Sequence, residues 1–168
     1  MLKIEDATNM CDFAIELITN VKTILEVRNP ETRRYMIERI AIVQLDHATE
    51  LLMKAFLVEK GFIIEFIEKS VLKDGLKITK SEEETRTIDY GDCLKIVLRN
   101  LRLEEDEKTE LQEAITKFHK LRNEIQHRAT NIPLDKMEKI TDFYPQLKKL
   151  FEKMFPNKIN KFPDFLSV

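Results

Sequence analysis

From Glu5 to about Val27, Ala7, Met10, Ala14, Leu17, Val21 and Ile24 recur at steps of three and four, the spacing that lines one face of a helix. "RNPETRRY" follows, with Asn29 placed to cap a second helix and Pro30 suited to its first position. That helix runs for about thirty residues until Gly61 stops it. Its stripe is Ile37, Ala41, Leu45, Ala48, Leu52, Ala55 and Phe56, yet Val43, Leu51, Leu57 and Val58 lie elsewhere around its circumference. A helix apolar on several sides is the central member of a bundle.

"GFIIEFIEKSVLKDG" predicts a shorter third helix ending at Gly75, after which the pattern fails from Leu76 to Thr87. "KSEEET" there reads as a solvated turn, tipping a small hairpin between "LKIT" and "RTI". Asp89 or Asp92 can cap a fourth helix bearing Leu94, Ile96, Val97 and Leu101. "LEEDEKTELQ" opens a fifth, with acids where the helix dipole favours them, running to about Ala129. Pro133 opens a sixth, on which Met137, Ile140, Tyr144, Leu147, Phe151 and Met154 keep the period and Pro145 should introduce a kink.

The expected fold is therefore an all-α bundle of five or six helices in one domain over residues 1–156, with an irregular tail over 157–168 marked by Pro156 and Pro163. Composition agrees: 43% of the 168 residues are hydrophobic and 35% charged, and only 3 glycines and 5 prolines interrupt them, which favours long helices. A net charge of −2 attracts neither nucleic acid nor anionic membranes, so such contacts need a local cluster. Cys11 and Cys93 lack any metal-type spacing and read as reduced, buried thiols. No stretch reads as a leader or membrane span, so the expectation is a cytoplasmic protein without a membrane partner.

Candidate chemistry lies in "KLRNEIQHR", Lys120 to Arg128. With Phe118 at zero on a helical wheel, Leu111, Ala114, Ile115, Leu121, Ile125 and Ala129 fall within about 60° of it, and Arg122 falls at about 40°. A guanidinium in an apolar stripe must be paired, reach an edge, or line a cleft or interface. His119, Asn123 and His127 step by four along another strip, so Arg122 and His127 do not share one face. Taken alone, the segment also reads as a solvated face with Lys120, Glu124 and Arg128 as charge pairs.

"KLRNEIQHR" late in an all-α chain resembles the signature of the HEPN superfamily, an Arg followed after a short spacer by a His, often with a polar residue beside the Arg. Arg122, Asn123 and His127 match all three, and "HATELLMKAFLVEKG", His47 to Gly61, is similar to that family's long central helix. The resemblance implies a metal-independent endoribonuclease acting as a homodimer, with the Arg and His motifs of two copies meeting at one cleft. It also admits members that bind a protein partner, such as an antitoxin, without cleaving RNA. The Tyr that in some HEPN toxins is modified by a partner enzyme is replaced by Ala129, which argues against that control here.

Such a site needs a base for the 2′-hydroxyl proton, an acid for the departing 5′-oxygen and cationic donors for the phosphorane. Histidine suits the first two tasks and arginine the third. Two copies of His127 would supply base and acid, Arg122 would hold phosphate, and Asn123 would orient His127 or bind phosphate, leaving a 2′,3′-cyclic phosphate and a 5′-hydroxyl. Lys117, Lys120, Arg122 and Arg128 make this helix end basic, drawing phosphate to it. Asp46, Glu50 and Lys54 step by four and read as a salt-bridge strip, or else Glu50 braces Arg122 from behind. His47 and His119 read as ordinary polar helix residues. No metal and no cofactor are expected, since no histidine pair has the HExxH spacing of a helical zinc site.

Overall fold

The computed structural model describes residues 4–26, 31–62, 65–67, 85–128 and 136–164. The expected caps at Asn29, Pro30 and Pro133, the stop at Gly75 and position Ala129 lie outside the described residues. The architecture is an all-α bundle: α1 (Ile4–Glu26), α2 (Glu31–Glu59), α3 (Tyr90–Asn100), α4 (Glu105–Arg128) and α5 (Lys136–Met154), with a short ribbon of β1 (Glu65–Ile67) and β2 (Thr85–Thr87).

The inner face of α1 is Ala7, Cys11, Ala14, Ile18 and Val21, all fully buried. The expected stripe was rotated from this, since Met10 and Leu17 are only partly buried and flank the core. The small side chains Ala7, Cys11 and Ala14 let α1 lie close on α2, and the close fit rather than side-chain size sets the facing.

α2 is the hub, touching α1, α3, α4 and α5. Every residue from Leu52 to Val58 is buried, including Lys54, which explains why apolar residues surround that part of the helix. Gly61, at φ 81°, ends it: Phe62 N–H donates to the Leu57 carbonyl at 2.9 Å and Gly61 N–H to that of Val58 at 3.0 Å. This double bond pattern is a Schellman cap, whose left-handed residue favours glycine.

The third helix expected over 61–75 is not formed at Glu65–Ile67, which pairs antiparallel with Thr85–Thr87, Phe66 opposite Arg86. The β-branched and aromatic run "FIIEFI" after a left-handed glycine is as compatible with a strand as with a helix, and pairing decides it. "RTI" thus contributes to a ribbon as expected, with a different partner strand than "LKIT".

α3 starts at Asp89, one of the two candidate caps, whose carboxylate accepts from Asp92 N–H at 2.9 Å. It buries Tyr90, Cys93, Leu94, Val97 and Leu98. α4 carries Glu105, Asp106 and Glu107 in its first turn and buries Leu111, Ile115, Phe118 and Ile125. α5 continues through Pro145 and faces α4, where Phe143 stacks on Phe118 with centroids 3.7 Å apart.

Residues 156–164 are more ordered than the expected irregular tail. Pro156–Lys161 forms a 3-10 helix, and Phe162 is buried against Phe151 and Tyr144. Lys161 pairs with Asp12 and Lys148 with Asp164, while the Tyr144 hydroxyl donates to the Pro163 carbonyl. Buried Phe155 and Phe162 together with these polar contacts hold the segment on the bundle.

Candidate functional site

Arg122 is paired. Its Nε lies buried 3.6 Å from Asp46 Oδ2, an ion-pair distance beyond hydrogen-bond range, and its Nη1 donates to Asn123 Oδ1 at 2.9 Å. The side chain keeps 27% of its surface exposed, so the guanidinium is held by partners without being fully enclosed. Of the three resolutions open to an arginine in an apolar stripe, the structure shows the paired one.

Asp46 is 1% exposed and receives a second partner, His119, whose Nδ1 lies 3.0 Å from Oδ2 and 3.2 Å from Oδ1. An ionised carboxylate only accepts, so the imidazole Nδ1 carries the hydrogen in this contact. Tyr90, the first residue of α3, lies flat on His119 with centroids 3.8 Å apart and planes 16° apart. Its hydroxyl is buried beside the same carboxylate, near enough to steady the charge but outside hydrogen-bonding geometry.

Burial pushes the Asp46 carboxyl above its ordinary value, and His119, Arg122 and Tyr90 each pull it back. Burial likewise drives the Tyr90 phenol well above its ordinary value, with Asp46 adding to the shift. Three helices thus converge on one buried carboxylate. α2 supplies it, α3 supplies the aromatic plate, and α4 supplies the two cationic or protonatable groups.

Sequence reasoning missed this cluster. His119 is no ordinary polar helix residue, and the acid behind Arg122 is Asp46 rather than Glu50, which pairs with Lys54 at 2.6 Å as a salt-bridge strip would have it. The signal was present: Ile42, Asp46, Thr49 and Met53 occupy one helical stripe and are all buried, so Asp46 is as misplaced on α2 as Arg122 is on α4. Thr49 satisfies itself by donating to the Leu45 carbonyl at 2.7 Å, whereas Asp46 needs partners from another element.

Asn123 sits beside Arg122 and engages it rather than His127. His127 is exposed and has no hydrogen bond or ion pair among the described residues. It lies about 7.5 Å further along the α4 axis than Arg122 and about 140° around it, by ideal helix geometry. The chain therefore brings Arg122, Asn123, His119 and Asp46 together and leaves His127 apart.

A cleft of about 400 Å³ opens between α4 and α5, lined by Lys117, Lys120 and Glu124 on α4 and by Lys139, Asp142 and Phe143 on α5, among others. It occupies the flank of α4 away from Arg122 and contains none of Arg122, Asn123 or His127. His47 meets Phe13 edge-on on the α1 side of α2. Among the described residues, no three or more His, Cys, Asp or Glu side chains gather as a metal site would require, and no helix is long and apolar enough to cross a membrane. In comparisons with known proteins, no family model, no curated protein and no solved structure matches the chain.

Proposed function

We propose that the chain is a metal-independent endoribonuclease of the HEPN toxin or defence kind, cleaving RNA by 2′-hydroxyl attack at a site completed across a homodimer. The observation that carries this reading is the anchoring of Arg122, ion-paired to Asp46 and bonded to Asn123, so that a partly exposed guanidinium is oriented before any ligand arrives. A pre-oriented guanidinium suits the spreading charge of a phosphorane better than a mobile one. His127, exposed near the end of the same helix, is the proton-transfer group. Its displacement from Arg122 favours two copies meeting, because one chain does not set both against one phosphate.

The test is incubation of RNA with the purified protein in EDTA, reading for 2′,3′-cyclic phosphate ends. His127→Ala and Arg122→Ala should each abolish cleavage, and full activity in His127→Ala would sink the assignment. Sedimentation at the assay concentration should show a dimer.

A second reading, an interaction module that binds a protein such as an antitoxin, draws on the outer face of α1 and α2. Phe13 is 48% and Ile40 40% exposed, and Ile40 lies two turns before His47, which contacts Phe13. That reading expects no cleavage and unchanged partner binding in His127→Ala.

A further inference from the structure

The resemblance gives base and acid to two copies of His127, and the Asp46 cluster offers a different, positioned candidate for the base. His119 and Arg122 are three residues apart on α4, so they project from neighbouring positions on one side of the helix. Both side chains are 27% exposed and both rest on Asp46. The imidazole is fixed in three ways: Asp46 holds Nδ1, Tyr90 covers one ring face, and the helix sets the direction of approach.

With Nδ1 holding the hydrogen, the neutral ring presents an unprotonated Nε2, which has no partner among the described residues. A buried carboxylate behind an imidazole whose far nitrogen is free is the arrangement of a positioned general base. The charged and titratable groups against it are Asp46 from α2, Tyr90 from α3 and Arg122 from α4 itself, with Glu50 and Cys93 acting on Tyr90.

Resting on the endoribonuclease reading, we propose that His119 is its general base, with Asp46 as the residue that positions it and Arg122 holding the scissile phosphate beside it. The 2′-hydroxyl O–H bond breaks and its proton passes to Nε2 of His119. The 2′-oxygen bonds phosphorus as the P–O5′ bond breaks, and the departing O5′ takes a proton from the imidazolium of His127. Within one chain His127 lies about 12 Å along the helix from His119, too far to flank the same phosphodiester, so this His127 comes from a second copy. Each copy then contributes base and phosphate clamp to one site and acid to the other.

The test combines steady-state cleavage kinetics in EDTA with NMR of the imidazole nitrogens in the full-length protein. His119→Gln should lower kcat at least about a hundredfold with KM little changed. His119→Ala should recover activity with added imidazole, which replaces a proton acceptor but would not repair a lost structural contact. In the wild type His119 should show the Nδ1–H tautomer, and Asp46→Asn should abolish that preference. Wild-type rates in His119→Gln, or an Nε2–H tautomer in the wild type, would overturn the base assignment while leaving the endoribonuclease reading in place. A wild-type protein that leaves RNA intact overturns both.

Discussion

Asp46 and His119 stand 3.0 Å apart across a separation of 73 residues, and that contact ties the hub helix to the helix bearing the candidate site. Its acid partner is held above the ordinary carboxylate value by burial, so the folded protein binds a proton more tightly there than the unfolded chain does. As pH rises from the ordinary value of 3.8 through the folded one, ionising Asp46 therefore costs stability. Urea unfolding across the acid range should show this downward contribution in the wild type and lose it in Asp46→Asn.

The opposite sign belongs to Glu107 and Glu110, whose carboxyls are held low by hydrogen bonds from Lys153 and Lys149 respectively. Their contribution is present above the ordinary carboxylate range and fades as pH falls through the lowered values. Lys149→Ala and Lys153→Ala together should flatten that acid-side loss, by a small amount because these groups are at least partly open to solvent.

His127→Ala should leave stability within about 0.5 kcal/mol of wild type, since the side chain is exposed and unpartnered among the described residues. Asp46→Ala should cost about 2 kcal/mol by removing the shared counter-charge of His119 and Arg122, less than a fully buried pair because both partners are partly exposed. Chemical denaturation of the two variants separates these outcomes, so loss of cleavage in His127→Ala cannot be laid to unfolding.

Much of the fold was legible in the chain. Period gave the long second helix, and local signals gave the Gly61 stop and Asp89 as one of two candidate starts, because each depends on residues within one or two turns of each other. Of the ribbon only the "RTI" side was legible, since Glu65–Ile67 becomes a strand only by finding Thr85–Thr87. The site divided the same way. Arg122 announced itself by standing in an apolar stripe, but its partner needed the packing of α2 on α4, which no local pattern encodes. His127 was conspicuous for its spacing from Arg122 and proves the most isolated of the group.

Gly61→Ala should destabilise by about 1 kcal/mol. An added Cβ meets no atom within 4 Å, so the whole cost lies in the backbone at φ 81°. Denaturant midpoints with an unchanged slope would confirm that origin, whereas a loss of several kcal/mol would indicate a steric clash that the structure does not contain.

Both thiols should resist a disulfide reagent in the native protein. Cys11 and Cys93 are fully buried, and burial pushes the Cys93 thiol up to about 12. A thiol so protonated offers almost no thiolate at neutral pH. Labelling should follow the global unfolding rate and become immediate in denaturant.

The unbroken burial of Leu52 to Val58 carries a consequence for cooperativity. They lie on the helix that touches all four others, so their cover depends on the whole bundle staying assembled. Their hydrogen exchange should require opening of the entire molecule, while amides near the ends of α1 and in Pro156–Lys161 exchange through smaller fluctuations. A fold organised around one spoke-bearing axle has no smaller autonomous unit to excise: trimming any rim helix exposes the axle, and the remainder should lose its single sharp transition.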